Sequence, residues 1–333
     1  MAVSDRPASG AAPGIAMQLG PWLSRYGTLA ALALLILFNF AVTRNFATWQ
    51  TLNINLTQVA TIVIVAVGMT LVIASGGIDL SVGSLMAIAA ALAPLIFLNR
   101  IVTFPSPYLG VAVAFVVPVL LAGLFGLFNG WLITRYRVQP IVGTLILFIA
   151  GRGIAQSFTD SNQVIFTVPE FQFIGLGRFL GIPIQVLIMA VIVVLAAWVL
   201  RCTVFGKQIL AVGGNEAAAR LSGVRVDRIK WQVYTISGLC SGIAGLIVIA
   251  RNSAADSNLV GLGVELDAIA AVAVGGTLLT GGRASVFGTL IGALIIQLVR
   301  FTLLANGVPD AAALVVKAGL IILAVWLQRQ VAT

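Results

Sequence analysis

Val59-Ala60-Thr61-Ile62-Val63-Ile64-Val65-Ala66-Val67-Gly68-Met69-Thr70-Leu71-Val72-Ile73-Ala74, closed by Ser75-Gly76-Gly77, is the stretch that decides the fold. Taken from Ile54, the run covers residues 54–75 and contains no Asp, Glu, Lys or Arg. About 20 mostly apolar residues are what a helix needs to cross the hydrocarbon of a bilayer. The same rule, applied outward, predicts helices near residues 26–43, 82–99, 108–134, 138–158, 182–200, 231–250, 264–280, 284–304 and 310–328. With the first run they make about ten spans. No hydrophilic block between them is large enough to fold alone. The chain therefore reads as an all-α polytopic membrane protein. Residues 1–25 form a cytoplasmic tail and residues 26–329 one transmembrane domain, which carries a cytoplasmic loop at 201–230.

Composition supports this reading. Hydrophobic residues make up 60% and charged residues 9% of the 333, and mean hydropathy is +1.10. A soluble domain carries about 25% charge to keep its surface in water. The 19 Lys and Arg against 10 Asp and Glu do not mark a nucleic-acid protein, because they sit between apolar runs rather than in one patch. Histidine is absent, which excludes imidazole catalysis and imidazole metal ligation. Cys202 and Cys240 have no metal-like spacing.

The basic residues also give an orientation. With the N-terminus inside, Arg135, Arg137, Arg201, Lys207, Arg220, Arg225, Arg228, Lys230, Arg283 and Arg329 face the cytoplasm. Fewer fall outside: Arg44, Arg100, Arg178 and Arg251, with Arg152 and Arg300 near that edge. This asymmetry places both termini in the cytoplasm.

Two features stand out within the apolar runs. Gly76-Gly77-Ile78-Asp79-Leu80-Ser81-Val82-Gly83 is echoed by Gly275-Gly276-Thr277-Leu278-Leu279-Thr280-Gly281-Gly282, with matches at both leading glycines, at Leu80/Leu279 and at Gly83/Gly282. Glycine-interrupted helices at corresponding places are a mark of transporters, although four matches in a glycine-rich chain also arise by chance. The second feature lies in the 201–230 loop. Asn215 is a good N-cap, Glu216 to Leu221 are helix formers and Gly223 is a natural stop, so a short surface helix is predicted. It is either an ordinary interfacial helix or a segment that docks on a partner. The chain holds no phosphate-binding loop of its own. Its only Gly-Lys pair, Gly206-Lys207, is followed by Gln208, and Arg201 stands where the first glycine belongs.

These residues carry a resemblance. Leu71 to Ser84, Asn129-Gly130, Thr144-Leu145 with Gly151-Arg152-Gly153, Ala211 to Asn215, and Glu265 to Val272 leading to Gly275-Gly276 resemble the ribose-type sugar ABC permeases from about residue 50 onward. Within that family, Ala150 to Gln156 followed by Gln163 to Thr167 most resembles the galactofuranose permeases. The resemblance implies the permease subunit of a bacterial type II ABC importer in the inner membrane, which moves a furanose or pentose. It also implies an ATPase subunit that binds ATP and Mg, a second permease chain that is identical or different, and a periplasmic sugar-binding protein. This chain then needs no cofactor and is not an enzyme. Asn215, Glu216, Ala217, Ala218, Arg220, Leu221, Gly223 and Val224 become the ATPase-coupling residues. The competing reading is a secondary transporter driven by an ion gradient, with Asp79, Glu265 and Asp267 as its only credible ion-carrying acids.

Each polar residue within the apolar runs fits two roles. Asp79 caps the following helix, with Ser81 as rival cap, or lines a sugar path. Glu265 and Asp267 suit the positive end of a helix dipole or the same path. Asn129, Asn252 and Gln297 offer amides to sugar hydroxyls or to neighbouring helices. Arg152 and Lys317 read as charges that snorkel to the interface.

Overall fold

The computed structural model describes residues 15–309, 311–319 and 322. Twelve helices run in chain order within it: α1 (Ile15–Val42), α2 (Trp49–Ala74), α3 (Val82–Phe97), α4 (Pro107–Tyr136), α5 (Pro140–Thr159), α6 (Pro169–Leu176), α7 (Ile184–Cys202), α8 (Val204–Gly214), α9 (Glu216–Leu221), α10 (Val226–Asn252), α11 (Val264–Val274) and α12 (Val286–Ala305). Residues 311–319 are helical as well. Four two-residue strands complete the set. β1 (Val164–Ile165) pairs antiparallel with β4 (Ala254–Ala255), and β2 (Arg178–Phe179) with β3 (Ile182–Pro183).

Among the described residues, six helices are long and apolar enough to cross a membrane: α2, α4, α5, α7, α10 and α12. They divide by environment. The apolar windows of α2 and α10 are 78% and 72% buried, whereas those of α4, α5 and α7 are 33%, 28% and 22% buried. Such long apolar faces cannot be left in water, so they face lipid or another chain, and α2, α3 and α10 form the centre. α3 is hydrophobic on every side, as a helix must be when protein surrounds it, and each of its residues is buried.

The predicted runs are helical where described, with differences of detail; of the run 310–328, residues 310, 320, 321 and 323–328 lie outside the described residues. α1 begins at Ile15, inside the stretch read as a tail, while residues 1–14 lie outside the described residues. α6 and α8 lie outside the predicted runs, because both are short and neither is apolar throughout. The largest difference is α11. The run 264–280 reads as a span, yet the helix has 11 residues and rises only about 16 Å, half the hydrocarbon thickness. It stops at Gly275-Gly276, and the segment before it, from Ser253 to Gly263, is turns and extended chain.

Candidate functional site

α9 stands out from the surface as a knob. The Asn215 side chain accepts a hydrogen bond from the Ala218 amide at 3.0 Å, as its N-cap role predicts. Gly223, at φ +83°, closes the far end, with the Val224 amide donating to the Ala219 carbonyl at 3.0 Å. A six-residue helix is unstable alone, since nucleation fixes several residues for few bonds. Here charges brace it to α10: Lys230 meets Glu216 at 2.7 Å, and Arg220 meets Asp227 at 2.9 Å and Glu216 at 3.4 Å. Partial burial pushes the Glu216 carboxyl up, but Lys230 and Arg220 outweigh it and hold the group below its ordinary value. Arg220 is pushed up by its bond to Asp227 and, further, by Glu216. Of the knob's residues only Ala219 is buried, and Leu221 at the tip is 90% exposed. Leu221 is the most exposed large apolar side chain among the described residues.

Directly before the knob, α8 ends at Gly213-Gly214, and this end is wedged between two helix breaks. A Cβ at Gly213 would collide with the Ala74 carbonyl oxygen and the Gly282 amide. The Gly282 amide donates to the same Ala74 carbonyl at 3.1 Å, and Gly281 lies against both Gly76 and Gly213. Three backbone segments therefore meet where only glycine fits: the end of α2, the end of α8 and the α11–α12 turn.

The two breaks match in geometry as they do in sequence. Gly76 (φ +83°) and Gly276 (φ +81°) each donate to the carbonyl three residues back, at 2.9 and 3.0 Å. The next residue in each donates five back: Gly77 to Val72 at 3.0 Å and Thr277 to Val272 at 3.2 Å. This is the same glycine-dependent helix stop, used twice.

Beyond the first break lies Asp79, wholly buried. It caps no helix, and neither does the Ser81 side chain. Instead Oδ1 accepts from the Ser81 amide at 3.0 Å and the Ser81 hydroxyl at 2.6 Å, while Oδ2 accepts from the Ser237 hydroxyl of α10 at 2.8 Å. Three donors satisfy the carboxylate that burial would otherwise make costly. Asn129 of α4 joins by donating to the Ser81 hydroxyl at 2.8 Å. The Leu80 amide donates to the Thr144 hydroxyl of α5 at 3.1 Å, and the Tyr234 hydroxyl to the Ile78 carbonyl at 3.3 Å. The broken segment is thus fastened to α4, α5 and α10 by side chains.

The N-termini of α3 and α11 meet. The Gly83 and Gly261 backbones touch, and the Glu265 carboxylate lies against Gly83, so one buried acid serves the positive ends of both helices. Arg152 does not snorkel. It donates to the carbonyls of Ser257 and Val260 at 2.9 and 2.6 Å and clasps the segment that leads into α11. Lys317 does not snorkel either: it pairs with Asp267 at 2.6 Å. In both cases the partner is remote in sequence, which a local reading does not reveal. The remaining candidates lie apart. Gln297 is buried and bonded to Gln58, and Asn252 is exposed at the end of α10. Asp79, Asn129 and Glu265 therefore gather around the start of α3, with Asp267 two residues beyond Glu265, while Gln297 and Asn252 stand elsewhere.

Residues 51–325 match the family model described as branched-chain amino acid transport system / permease component. The chain is 40% identical over 313 residues to the ribose import permease protein of Escherichia coli (strain K12), covering 93% of this chain and 95% of that one. It is 39% identical over 326 residues to the galactofuranose transporter permease protein of the same strain, at 93% and 91% coverage. To the L-arabinose ABC transporter permease protein of Azospirillum brasilense it is 35% identical over 308 residues, at 92% and 88% coverage. No solved structure matches.

Proposed function

We propose a function for a chain that belongs to the branched-chain amino acid transport system permease family: it is the membrane-spanning permease of an ATP-driven sugar importer. The family description names amino acids, whereas the ribose, galactofuranose and L-arabinose relatives favour a monosaccharide in furanose or pentose form. Identities of 40% and 39% do not separate ribose from galactofuranose. That relatives work as ABC permeases favours this reading over an ion-driven carrier. The chain is a transport subunit rather than an enzyme, and ATP with Mg binds a separate ATPase.

α9 docks on that ATPase in the cytoplasm of a bacterium, with both chain termini on the same side of the inner membrane. A second permease chain and a sugar-binding protein on the outer side complete the machine. ATP-driven closure displaces α9, and α8 carries the movement to the glycine junction. There the α11–α12 turn shifts against the end of α2. Only a difference in how ATP and sugar bind the outward- and inward-open states can drive the shift. The sugar path runs between the two permease chains, with Asp79, Asn129, Asn252, Glu265, Asp267 and Gln297 as the candidates to shape it.

The observation that carries the proposal is the contact of Gly213, next to the exposed knob, with both helix breaks at once. The test is reconstitution: vesicles holding this chain, its ATPase and the binding protein accumulate sugar only with internal ATP. Full accumulation by this chain without the ATPase would overturn the reading.

A further inference from the structure

A cleft of about 590 Å³ opens beside the coupling segment, between the first turns of α8 and α10 and the cytoplasmic half of α4. Its walls are mostly apolar, from Leu127, Phe205, Trp231 and Ile236, and α10 adds the polar Arg228, Gln232 and Thr235. Arg228 is exposed and makes no hydrogen bond or ion pair among the described residues. The Trp231 indole is spent inward, donating to the Thr134 hydroxyl at 2.6 Å, so its ring is left as a wall. From Leu127 an exposed apolar stripe continues along α4 through Leu124 and Leu120, at helical spacings of three and four. The stripe runs away from Arg228 toward the middle of the membrane helix.

A cation without a partner among the described residues, beside a mostly apolar cleft continued by a ribbon of exposed leucines, matches the form of an anionic phospholipid: a phosphate at one end and an acyl chain running from it. Basic pockets at the cytoplasmic ends of membrane helices take such headgroups. We propose that this cleft binds one anionic phospholipid of the cytoplasmic leaflet, with its phosphate on Arg228 and an acyl chain along Leu127 and Leu124. The occupant touches Phe205 at the start of α8 and Trp231 near the start of α10, so it joins the two elements that enter and leave the knob. Bound lipid therefore stiffens the segment that receives the ATPase. The inference rests on the orientation proposed above, which places this end of the bundle in the cytoplasm.

The full-length chain is placed in nanodiscs of phosphatidylcholine with a small share of brominated phosphatidylglycerol or brominated phosphatidylcholine, and tryptophan quenching is compared with that of Trp231→Phe. The Trp231-dependent quenching is expected from the glycerol lipid at low mole fraction and not from the choline lipid. Arg228→Gln is expected to reduce that preference about fivefold, the value of one basic residue at the surface. Arg228→Lys restores most of it, which separates a charge effect from misfolding. Equal quenching by the two lipids, or an unchanged preference in Arg228→Gln, overturns the proposal. So does displacement of the lipid by millimolar inorganic phosphate, which would mean a soluble-anion site. So does cross-linking of Gln232→Cys between two copies, which would make the cleft a protein interface. Quenching in nanodiscs does not depend on orientation, and labelling of Leu221→Cys in intact cells tests that separately.

Discussion

The turn after α2 and the turn after α11 begin alike and are held differently. Both stop a helix with the same glycine geometry, yet the first runs into a carboxylate tied by three donors, and the second into glycine backbone contacts and a local bond from the Ser285 amide to the Thr277 hydroxyl at 3.1 Å. Side-chain bonds to α4, α5 and α10 fix the first turn to the core, and breaking any of them leaves a buried polar group unmatched. The second turn rests on α8 and α2 through glycines and is held to α2 by the bond from the Gly282 amide to the Ala74 carbonyl at 3.1 Å. On the proposed mechanism, two turns of one design act as an anchor and a moving part, and both meet the end of α8 at Gly213.

The sharpest way to break this comparison is at Gly213. Gly213→Val forces a branched side chain into the Ala74 carbonyl and the Gly282 amide. Overpacking of this kind costs about 1–3 kcal/mol, and here it falls on the junction itself. ATP-driven uptake is expected to be abolished while the ATPase still co-purifies. Loss of the ATPase together with uptake would mean that α8 only holds the knob in place.

Next in size is the knob. Leu221→Glu removes the exposed apolar tip, and burying a leucine is worth about 1.5–3 kcal/mol. ATPase affinity is expected to fall roughly tenfold to a hundredfold, with thermal stability of the chain unchanged. Undiminished co-purification contradicts the docking role.

The helix spans were legible because lipid demands long apolar runs, and α9 because Asn215 and Gly223 write its ends in local chemistry. α8 was not, since Lys207, Gln208 and three glycines give no clear period. The partners of Arg152 and Lys317 were hidden for a different reason. Ser257, Val260 and Asp267 lie far along the chain, and only the approach of α11 to its neighbours brings them near. Asp79 reads in the sequence as a polar residue at a helix start, but besides the adjacent Ser81 it is held by Ser237 of α10, 158 residues away.

Asp79 tests the anchor. Asp79→Asn keeps the shape but offers a single acceptor oxygen to the Ser81 and Ser237 donors. A loss of about 1–3 kcal/mol in stability is expected, read as a lower thermal midpoint in detergent, with ATPase binding kept. A midpoint equal to the parent's contradicts the anchor.

The smallest effect concerns pH. The Glu216 carboxyl is held below its ordinary value in the folded knob. Its stabilisation is therefore fully present above the unfolded value and is lost as pH falls through the depressed folded one. ATPase binding is expected to weaken only in the acid range below the usual carboxylate titration, and Glu216→Gln to remove that acid-dependent step. Weakening that begins near neutral pH would show that another group governs docking.

Hydrogen–deuterium exchange on the assembled complex, with and without ATP, tests the division between anchor and moving part most directly. The account predicts that exchange changes on ATP binding across residues 275–285, while residues 76–84 stay protected in both states. Equal change in the two turns, or change confined to residues 76–84, would contradict it.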